Sequence, residues 1–209
     1  MYRRAGIAVL AMALGGLACE RSAPAADTME EPGTTVEADA PVTAAEEARV
    51  VAVGSGAAER LRTSLVKRLT AAIDSAGAAH AISVCSTDAL ALTDSITRTL
   101  GPGVEVKRTA LRVRNPDNAP DSLETLALAH FTAAAEAGDS LPRHYVQRTT
   151  DGFRYYEPLV TMPLCLQCHG PGRSIAADVR AEIAERYPQD RAIGYRQGEL
   201  RGLIRVSTP

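Results

Sequence analysis

The sequence predicts an α+β fold, with helices first and an antiparallel sheet towards the C-terminus. Apolar residues recur along Leu61, Leu65, Leu69 and Ile73 at a spacing that indicates a helix with one buried face. Asp151-Gly152 lies between two strand-like segments and is a strong signal for a tight β-hairpin. Leu200–Val206 indicates a further strand. Helices followed by strands in this order are typical of an α+β domain.

The start of the chain has the composition of an export signal. Arg3 and Arg4 provide a charged beginning, and Ala5–Leu17 forms a short apolar run. This run is too short to favour a membrane-spanning helix. Residues 1–18 are therefore predicted to be a signal peptide.

The next cysteine lies in a pattern that resembles a bacterial lipobox, Gly16-Leu17-Ala18-Cys19, in which the cysteine becomes lipidated. The pattern has glycine at its first position, where leucine is usual. The alternative is ordinary cleavage near Ala18 or Ala26, which would leave the thiol free. We expect lipidation of Cys19 and a position on the periplasmic side of a bacterial membrane. A soluble periplasmic protein is the alternative.

Residues 19–43 are predicted to be an acidic, flexible tether that follows the lipidated cysteine. Their composition has too little apolar content to offset the entropy of ordering. The folded domain is predicted to occupy residues 44–209. Thr43 and Glu46 have the spacing of a capping box, which would start the first helix at this boundary.

The first half of the domain is predicted to be helical. Gly54-Ser55-Gly56 is expected to interrupt the first helix, because glycine disfavours helix interiors. A second helix begins at Ala57 and ends at Gly77. A further helical stretch follows as far as Leu100, and its apolar side contains Ala79, Ile82, Cys85 and Ala89.

The remaining elements follow from periodicity and turn signals. Val104–Val113 is predicted to be a strand, and the helix after the turn-rich segment 114–121 stops near Gly138. The predicted hairpin joins Arg143–Thr149 to Phe153–Val160. Apolar spacing marks a last helix at Ile175, Val179, Ile183 and Tyr187.

The motif that points to chemistry is Cys165-Leu166-Gln167-Cys168-His169. Cys-x-x-Cys-His is the attachment pattern of a c-type haem. Two thiols at this spacing reach the vinyl groups at one edge of a porphyrin, and the following histidine then lies under the ring and ligates the iron. Pro163 and Gly170-Pro171-Gly172 flank the motif, so we expect it to lie in a loop.

Other uses of the two cysteines fit less well. A thioredoxin-like redox motif usually opens a helix after an apolar strand. Zinc would need four converging ligands, and the sequence has no second Cys-x-x-Cys and no paired histidines. A disulfide between Cys165 and Cys168 would close a strained, tight ring.

Cys85 is the unassigned member of the four cysteines. A cysteine on an apolar helix face is commonly a small core residue. It is also a candidate for the second axial ligand of the iron. From the residues alone, the competing ligands are Met162, His80, His130 and His144.

Three arginines alternate along the predicted strand Val104–Val113 and its end. In an unbroken strand, Arg108, Arg112 and Arg114 would lie on one face. Such a row could pair with haem propionates, because guanidinium groups suit carboxylates. The alternative is a solvated strand edge protected by its charge.

Composition excludes some classes of function. The formal net charge of -2 gives no basic footprint for nucleic acid. No nucleophile, general base and substrate pocket can be assembled from the residues, so we do not expect an enzyme.

The ordered set of motifs resembles a family of c-type haem domains with a PAS-like fold. This family is typified by a cyanobacterial cytochrome and also occurs as extracytoplasmic sensor domains. The resemblance covers roughly residues 50–208. It is carried by Ile82–Ser86, Arg108–Pro116, Tyr155–Pro158, Cys165–Gly170 and Gly194–Gly202.

The resemblance implies a PAS-like antiparallel sheet and one covalent haem c per chain. It implies that His169 and Cys85 are the axial ligands, and that Cys165 and Cys168 hold the porphyrin. We therefore expect a redox or small-ligand sensing module with an unidentified redox or signalling protein as partner. A low-potential electron-transfer cytochrome is the alternative, and a thiol–disulfide oxidoreductase is a further one.

Overall fold

The computed structural model describes residues 40–209 and has the predicted α+β architecture. The predicted signal peptide, Cys19 and most of the predicted tether lie outside the described residues. The helices and strands follow one another along the chain in the order α1 Ala44–Thr97, β1 Glu105–Thr109, α2 Ser122–Glu136, β2 Tyr145–Thr149, β3 Gly152–Val160, α3 Leu166–His169, α4 Ala177–Arg186 and β4 Leu200–Thr208.

The four strands form one antiparallel sheet in the order β1-β4-β3-β2. Alternate side chains of the strands point to opposite faces, and each face is covered by a different helix. Tyr155 and Val206 belong to the core that packs against α1. Tyr156 and Leu203 belong to the core that packs against α2. The sheet is therefore buried on both sides, which explains its rich content of apolar and aromatic residues.

Helix α1 begins where the sequence predicts, because Thr43 and Glu46 form both hydrogen bonds of a capping box. The expected interruption at Gly54-Ser55-Gly56 is wrong, since the helix is continuous through these residues. Gly54 is buried, and a Cβ there would lie 2.3 Å from Cγ of Tyr155. Glycine serves here to let the helix approach the sheet, and the helix remains unbroken.

Gly77 does break the regular helix, as predicted. The backbone leaves the helical region at Ala76 and Gly77, where Gly77 has a φ of 85°. Glycine adopts such a positive φ without the steric cost that other residues meet. The second half of α1 can therefore take a different direction, and it carries Cys85.

The predicted strand Val104–Val113 is too long. Pairing of β1 with β4 ends at Thr109 opposite Leu203. Beyond that point, the backbone groups of Arg112 and Val113 accept hydrogen bonds from Arg201 and from the backbone N–H of Arg191. Arg112 and Arg114 thus lie beyond the strand, and the argument that an unbroken strand aligns them with Arg108 does not hold.

None of the helices among residues 40–209 has the length and apolar character that crossing a membrane requires.

Candidate functional site

The Cys-x-x-Cys-His motif follows directly after β3. Thr161 connects the strand to the motif and is bonded to the start of β4, since its N–H donates to the carbonyl of Glu199 at 2.9 Å. Pro163–Cys165 is a short 3-10 turn, and Leu166–His169 is a single helical turn, α3. The expectation of a loop is therefore wrong, because local hydrogen bonds wind the motif into helical geometry.

Gly170 closes this turn. Its N–H donates to the carbonyl of Leu166 at 3.0 Å. A Cβ at Gly170 would lie 2.6 Å from that same carbonyl oxygen, so the close approach requires glycine. The turn sets the directions of the two thiols and the imidazole that precede it.

The segment before β4 holds His169 in place. The Nδ1–H of His169 donates to the carbonyl of Ala192 at 2.6 Å. The N–H of Tyr195 donates to the carbonyl of His169 at 2.9 Å, and the ring of Tyr195 meets the imidazole edge-on. A carbonyl oxygen can only accept, so Nδ1 carries the proton and Nε2 keeps its lone pair. This is the arrangement that fixes a metal-ligating histidine.

The surroundings keep this imidazole neutral. Burial holds the pKa of His169 well below its usual value, and the nearby charges of Arg201 and Arg114 lower it further. Neutral imidazole with a free Nε2 is the form that ligates iron. Within the chain, no proton has to leave this nitrogen before a metal binds.

An apolar cluster lies beside the second cysteine of the motif. Cys168 is buried with Ile82 of α1 and with Val179 and Ile183 of α4. Burial raises the pKa of the Cys168 thiol, Arg114 opposes that rise, and the sulfurs of Cys85 and Cys165 add to it. Cys168 therefore lies within electrostatic range of both of the other thiols.

Cys85 lies one helical turn after Ile82 and is half-buried. Burial raises the pKa of its thiol, while Arg108 and Arg114 act in the opposite direction. A ferric iron bound at this site would favour the deprotonated sulfur, because thiolate is the form that binds metal. The structure thus brings Cys85 near Cys168, and ligation of iron by Cys85 and His169 stays a prediction.

Arg114 connects the Cys-x-x-Cys-His motif to the segment before β4. It forms an ion pair with Asp190 at 3.1 Å, and both side chains are almost completely buried. Its Nη2 also donates to the carbonyl of Cys168 at 2.6 Å. Arg114 therefore joins the motif to the segment that contains Ala192. Sequence reasoning missed Asp190, for which the sequence carries no distinctive signal.

Arg112 lies on the outer side of the same segment. Its guanidinium stacks on the ring of Tyr195 at 3.6 Å from the ring centre and donates to the carbonyl of Ile193 at 3.0 Å. The predicted contact of Arg112 and Arg114 with propionates stays a prediction. In the structure, both guanidinium groups already have protein partners.

Two further arginines point into the site region. Burial lowers the pKa of Arg201, which also lies over the ring of Tyr195 at 5.2 Å from its centre. Burial likewise lowers the pKa of Arg108, and the Nε of Arg108 is buried without a hydrogen-bond partner among the described residues. The sequence placed Arg201 in a strand but gave no reason to connect it with His169.

The competing ligands have other surroundings. His130 is exposed and stacks on Tyr145, and His144 pairs with Glu47 near the start of α1. His80 and Met162 are exposed, with 47 % of Met162 accessible. The partners of His130 and His144 lie in β2 and near the start of α1, whereas Cys85 lies near Cys168.

The structure offers little support for the other uses of the cysteines. No group of three or more His, Cys, Asp and Glu side chains within residues 40–209 is arranged to hold a metal ion directly. The motif itself forms a helix of only one turn, whereas a thioredoxin-like motif opens a longer one. The two thiols, the oriented imidazole and Cys85 fit a haem, because the porphyrin itself supplies the other four iron ligands.

Comparison with known proteins agrees with this assignment. The Tll0287-like family model matches residues 37–209. Among solved structures, the chain is similar to one described as the cyanobacterial haem protein Tll0287, with 27% identity and a TM-score of 0.58. The match covers 80% of this chain and 96% of that one. No curated protein matches the chain. These matches confirm the resemblance inferred from the motifs, and the similarity to a haem protein supports haem binding. The chain belongs to the Tll0287-like family.

Proposed function

We propose that this protein is an extracytoplasmic haem c protein that acts as a redox or small-ligand sensing module. Cys165 and Cys168 would form thioether bonds to the vinyl groups, and His169 and Cys85 would ligate the iron. The function is one of binding and signalling, without a catalytic residue. An unidentified redox or signalling protein would be its partner.

The observation that carries the proposal is the state of His169. Its Nδ1–H is committed to the Ala192 carbonyl at 2.6 Å, next to two thiols at haem-attachment spacing. Only Nε2 is left to ligate a metal, and burial keeps the ring neutral. A histidine that merely filled the core would not need both cysteines of the motif beside it.

Cys85 supplies the physical basis for sensing. A thiolate donates electron density and favours the ferric state, so we expect a low reduction potential. Ferrous iron carries less positive charge, so it would bind the same thiolate less strongly. Cys85 would then take up a proton at Sγ and move away, which opens a coordination position to a small ligand. Reduction of the iron, or binding of a small ligand to it, would in this way alter the position of Cys85 in α1.

Covalent attachment is the first test. Protein produced with a cytochrome c maturation system should remain red after denaturation and extraction with acidic acetone, and should give a c-type pyridine haemochrome spectrum. Cys165→Ala and Cys168→Ala should each lower the yield of haem protein several-fold, because each removes one thioether bond. Met162→Leu is the matched control and should leave the yield unchanged. Fully extractable haem, or no haem, would contradict the proposal.

The position at a membrane is a separate part of the proposal. We infer that Cys19 anchors the chain through lipid, facing the periplasm of a bacterium. Labelled palmitate should be incorporated into the parent, and Cys19→Ala should release soluble protein from the membrane fraction. Unchanged membrane association of that variant would exclude the anchor, and would leave haem binding unaffected.

A further inference from the structure

Arg108 is a partly buried cation whose Nε lacks a hydrogen-bond partner. It lies in β1 opposite Ile204 of β4, on the sheet face that α1 covers. Its Nε is buried and donates to no acceptor within residues 40–209, and its guanidinium forms no ion pair there. A buried charge without a partner is costly, so such a group normally has an anion or several hydrogen-bond acceptors beside it.

The neighbouring arginines differ from Arg108 in this respect. Arg114 is paired with Asp190 and with the Cys168 carbonyl. Arg112 is bonded to the Ile193 carbonyl and stacked on Tyr195. Both are therefore satisfied by the protein. Of the three arginines that the sequence makes candidates for propionate binding, Arg108 is the one with a free donor in a buried position.

The groups around Arg108 do not supply the missing anion. A cavity of about 320 Å³ is lined by Arg108, Lys107 and Arg205 and by the carboxylates of Asp94, Glu105 and Asp117. Glu105 pairs with Arg205, and none of the three carboxylates forms an ion pair with Arg108 among the described residues. Arg201 is near enough to lower the pKa of Arg108, which adds a like charge. Arg108 therefore has a like charge nearby and no carboxylate paired with it among the described residues.

Arg108 also faces the part of α1 that carries Cys85. Cys85 lies close enough to Arg108 for each side chain to affect the pKa of the other. Cys85 in turn lies within electrostatic range of Cys168. An anion beside Arg108 would thus belong to a molecule bound between Cys85 and the Cys-x-x-Cys-His motif.

We propose that Arg108 binds a propionate carboxylate of the haem. The proposal rests on the proposed function, since the carboxylate belongs to the haem. Guanidinium forms charge-assisted, directional hydrogen bonds with carboxylate, and the buried Nε is the donor that such a contact would use. Arg114 and Arg112 keep their structural bonds to the segment before β4, and Arg201 adds positive potential.

Resonance Raman spectroscopy of the holoprotein tests this contact, because the bending mode of a propionate reports its hydrogen bonds. The band of one propionate should shift in Arg108→Gln, which removes the charge and the Nε donor. It should shift less in Arg108→Lys, which keeps the charge and so preserves the buried cation. Arg112→Gln tests the competing candidate and should keep the parent propionate bands. Arg98→Gln, at an exposed arginine that follows α1, is the matched control. Covalent haem content is measured in every variant.

The outcomes separate this inference from the proposed function. If both Arg108 variants retain covalent haem and the parent propionate bands, Arg108 does not bind a propionate and the inference is overturned. A changed reduction potential with unchanged bands would overturn it too, and would assign Arg108 to the Cys85 sulfur. A shift of the propionate band in Arg112→Gln alone would show that Arg112, and not Arg108, binds the propionate. Absence of covalent haem from the parent would contradict the proposed function instead.

A measurement on the parent does not depend on whether the variants fold. Haem labelled with carbon-13 at the propionate carboxyls can be followed by infrared spectroscopy as the pH falls. One carboxylate should stay ionised to a lower pH than the other, because a neighbouring guanidinium favours the anion. Two propionates that protonate together in the ordinary carboxyl range would overturn the assignment.

Discussion

Replacing Cys85 with alanine should change the ferric spectrum from low spin to high spin, or to that of a water or histidine adduct. In the proposed site, the variant would lose an anionic donor to the iron, and His169 would remain as a ligand. For the same reason, the reduction potential should rise. Carbon monoxide and nitric oxide should bind more readily, since the coordination position is open. Optical and EPR spectra of the purified protein, with a redox titration, measure these effects.

Ser86→Ala is the matched control for this experiment. Ser86 is the next residue of α1, and its hydroxyl donates to the Ser83 carbonyl at 2.7 Å. Its removal should leave spectrum and potential unchanged. If Cys85 were only a core residue, Cys85→Ala would cost about 1 kcal/mol of packing and would behave like the control. That result would make Met162 or one of the histidines the candidate ligand.

Spectra of the parent and of Cys85→Ala in both oxidation states also test the proposed sensing mechanism. The proposed switch depends on a thiolate that can accept a proton and leave when the iron is reduced. If the parent keeps both axial ligands in the ferrous state and binds no carbon monoxide, a low-potential electron carrier becomes the better description. If reduction opens the position in the parent, and Cys85→Ala is open in both states, the switch resides at Cys85.

The second large effect is expected from two glycines of α1 that differ only in what lies beside them. Gly54→Ala should destabilise the protein by about 1–3 kcal/mol, because an added methyl overpacks the contact with the sheet. The Cβ would meet the base of the Tyr155 side chain at 2.3 Å, which cannot swing away as a flexible tip could. Gly56→Ala should stabilise it by about 1 kcal/mol, since alanine is the better helix former.

Urea unfolding of the two variants and the parent measures the difference. Gly56 has open space around its Cβ position and is exposed, so it controls for helix propensity alone. The two substitutions should therefore change the free energy of unfolding in opposite directions. Equal stabilisation of both variants would show that α1 does not approach Tyr155 this closely. Equal destabilisation would show that the helix is interrupted here, as the sequence suggested.

Local signals in the sequence predicted most elements of the fold. The capping box at Thr43, the helix break at Gly77 and the hairpin at Asp151-Gly152 each depend on residues that are neighbours along the chain. The Cys-x-x-Cys-His motif is equally local, because attachment to a porphyrin edge needs a fixed spacing. These features could be recognised without knowing what packs against them.

Contacts between distant segments decided the rest. The role of Gly54 depends on Tyr155, and the end of β1 depends on where its pairing with β4 stops. The tautomer of His169 depends on the Ala192 carbonyl, a backbone atom that any residue provides and that no sequence pattern marks.

The arginines show the same division. Sequence spacing suggested that Arg108, Arg112 and Arg114 act together on one strand face. In the structure, Arg114 forms an ion pair with Asp190, and Arg112 stacks on Tyr195. Of these three arginines, only Arg108 has a buried donor without a partner. The sequence by itself made these three arginines candidates for contacts with the haem propionates. Their partners were decided by the tertiary structure, because a long side chain is directed by whichever acceptor folding brings within reach.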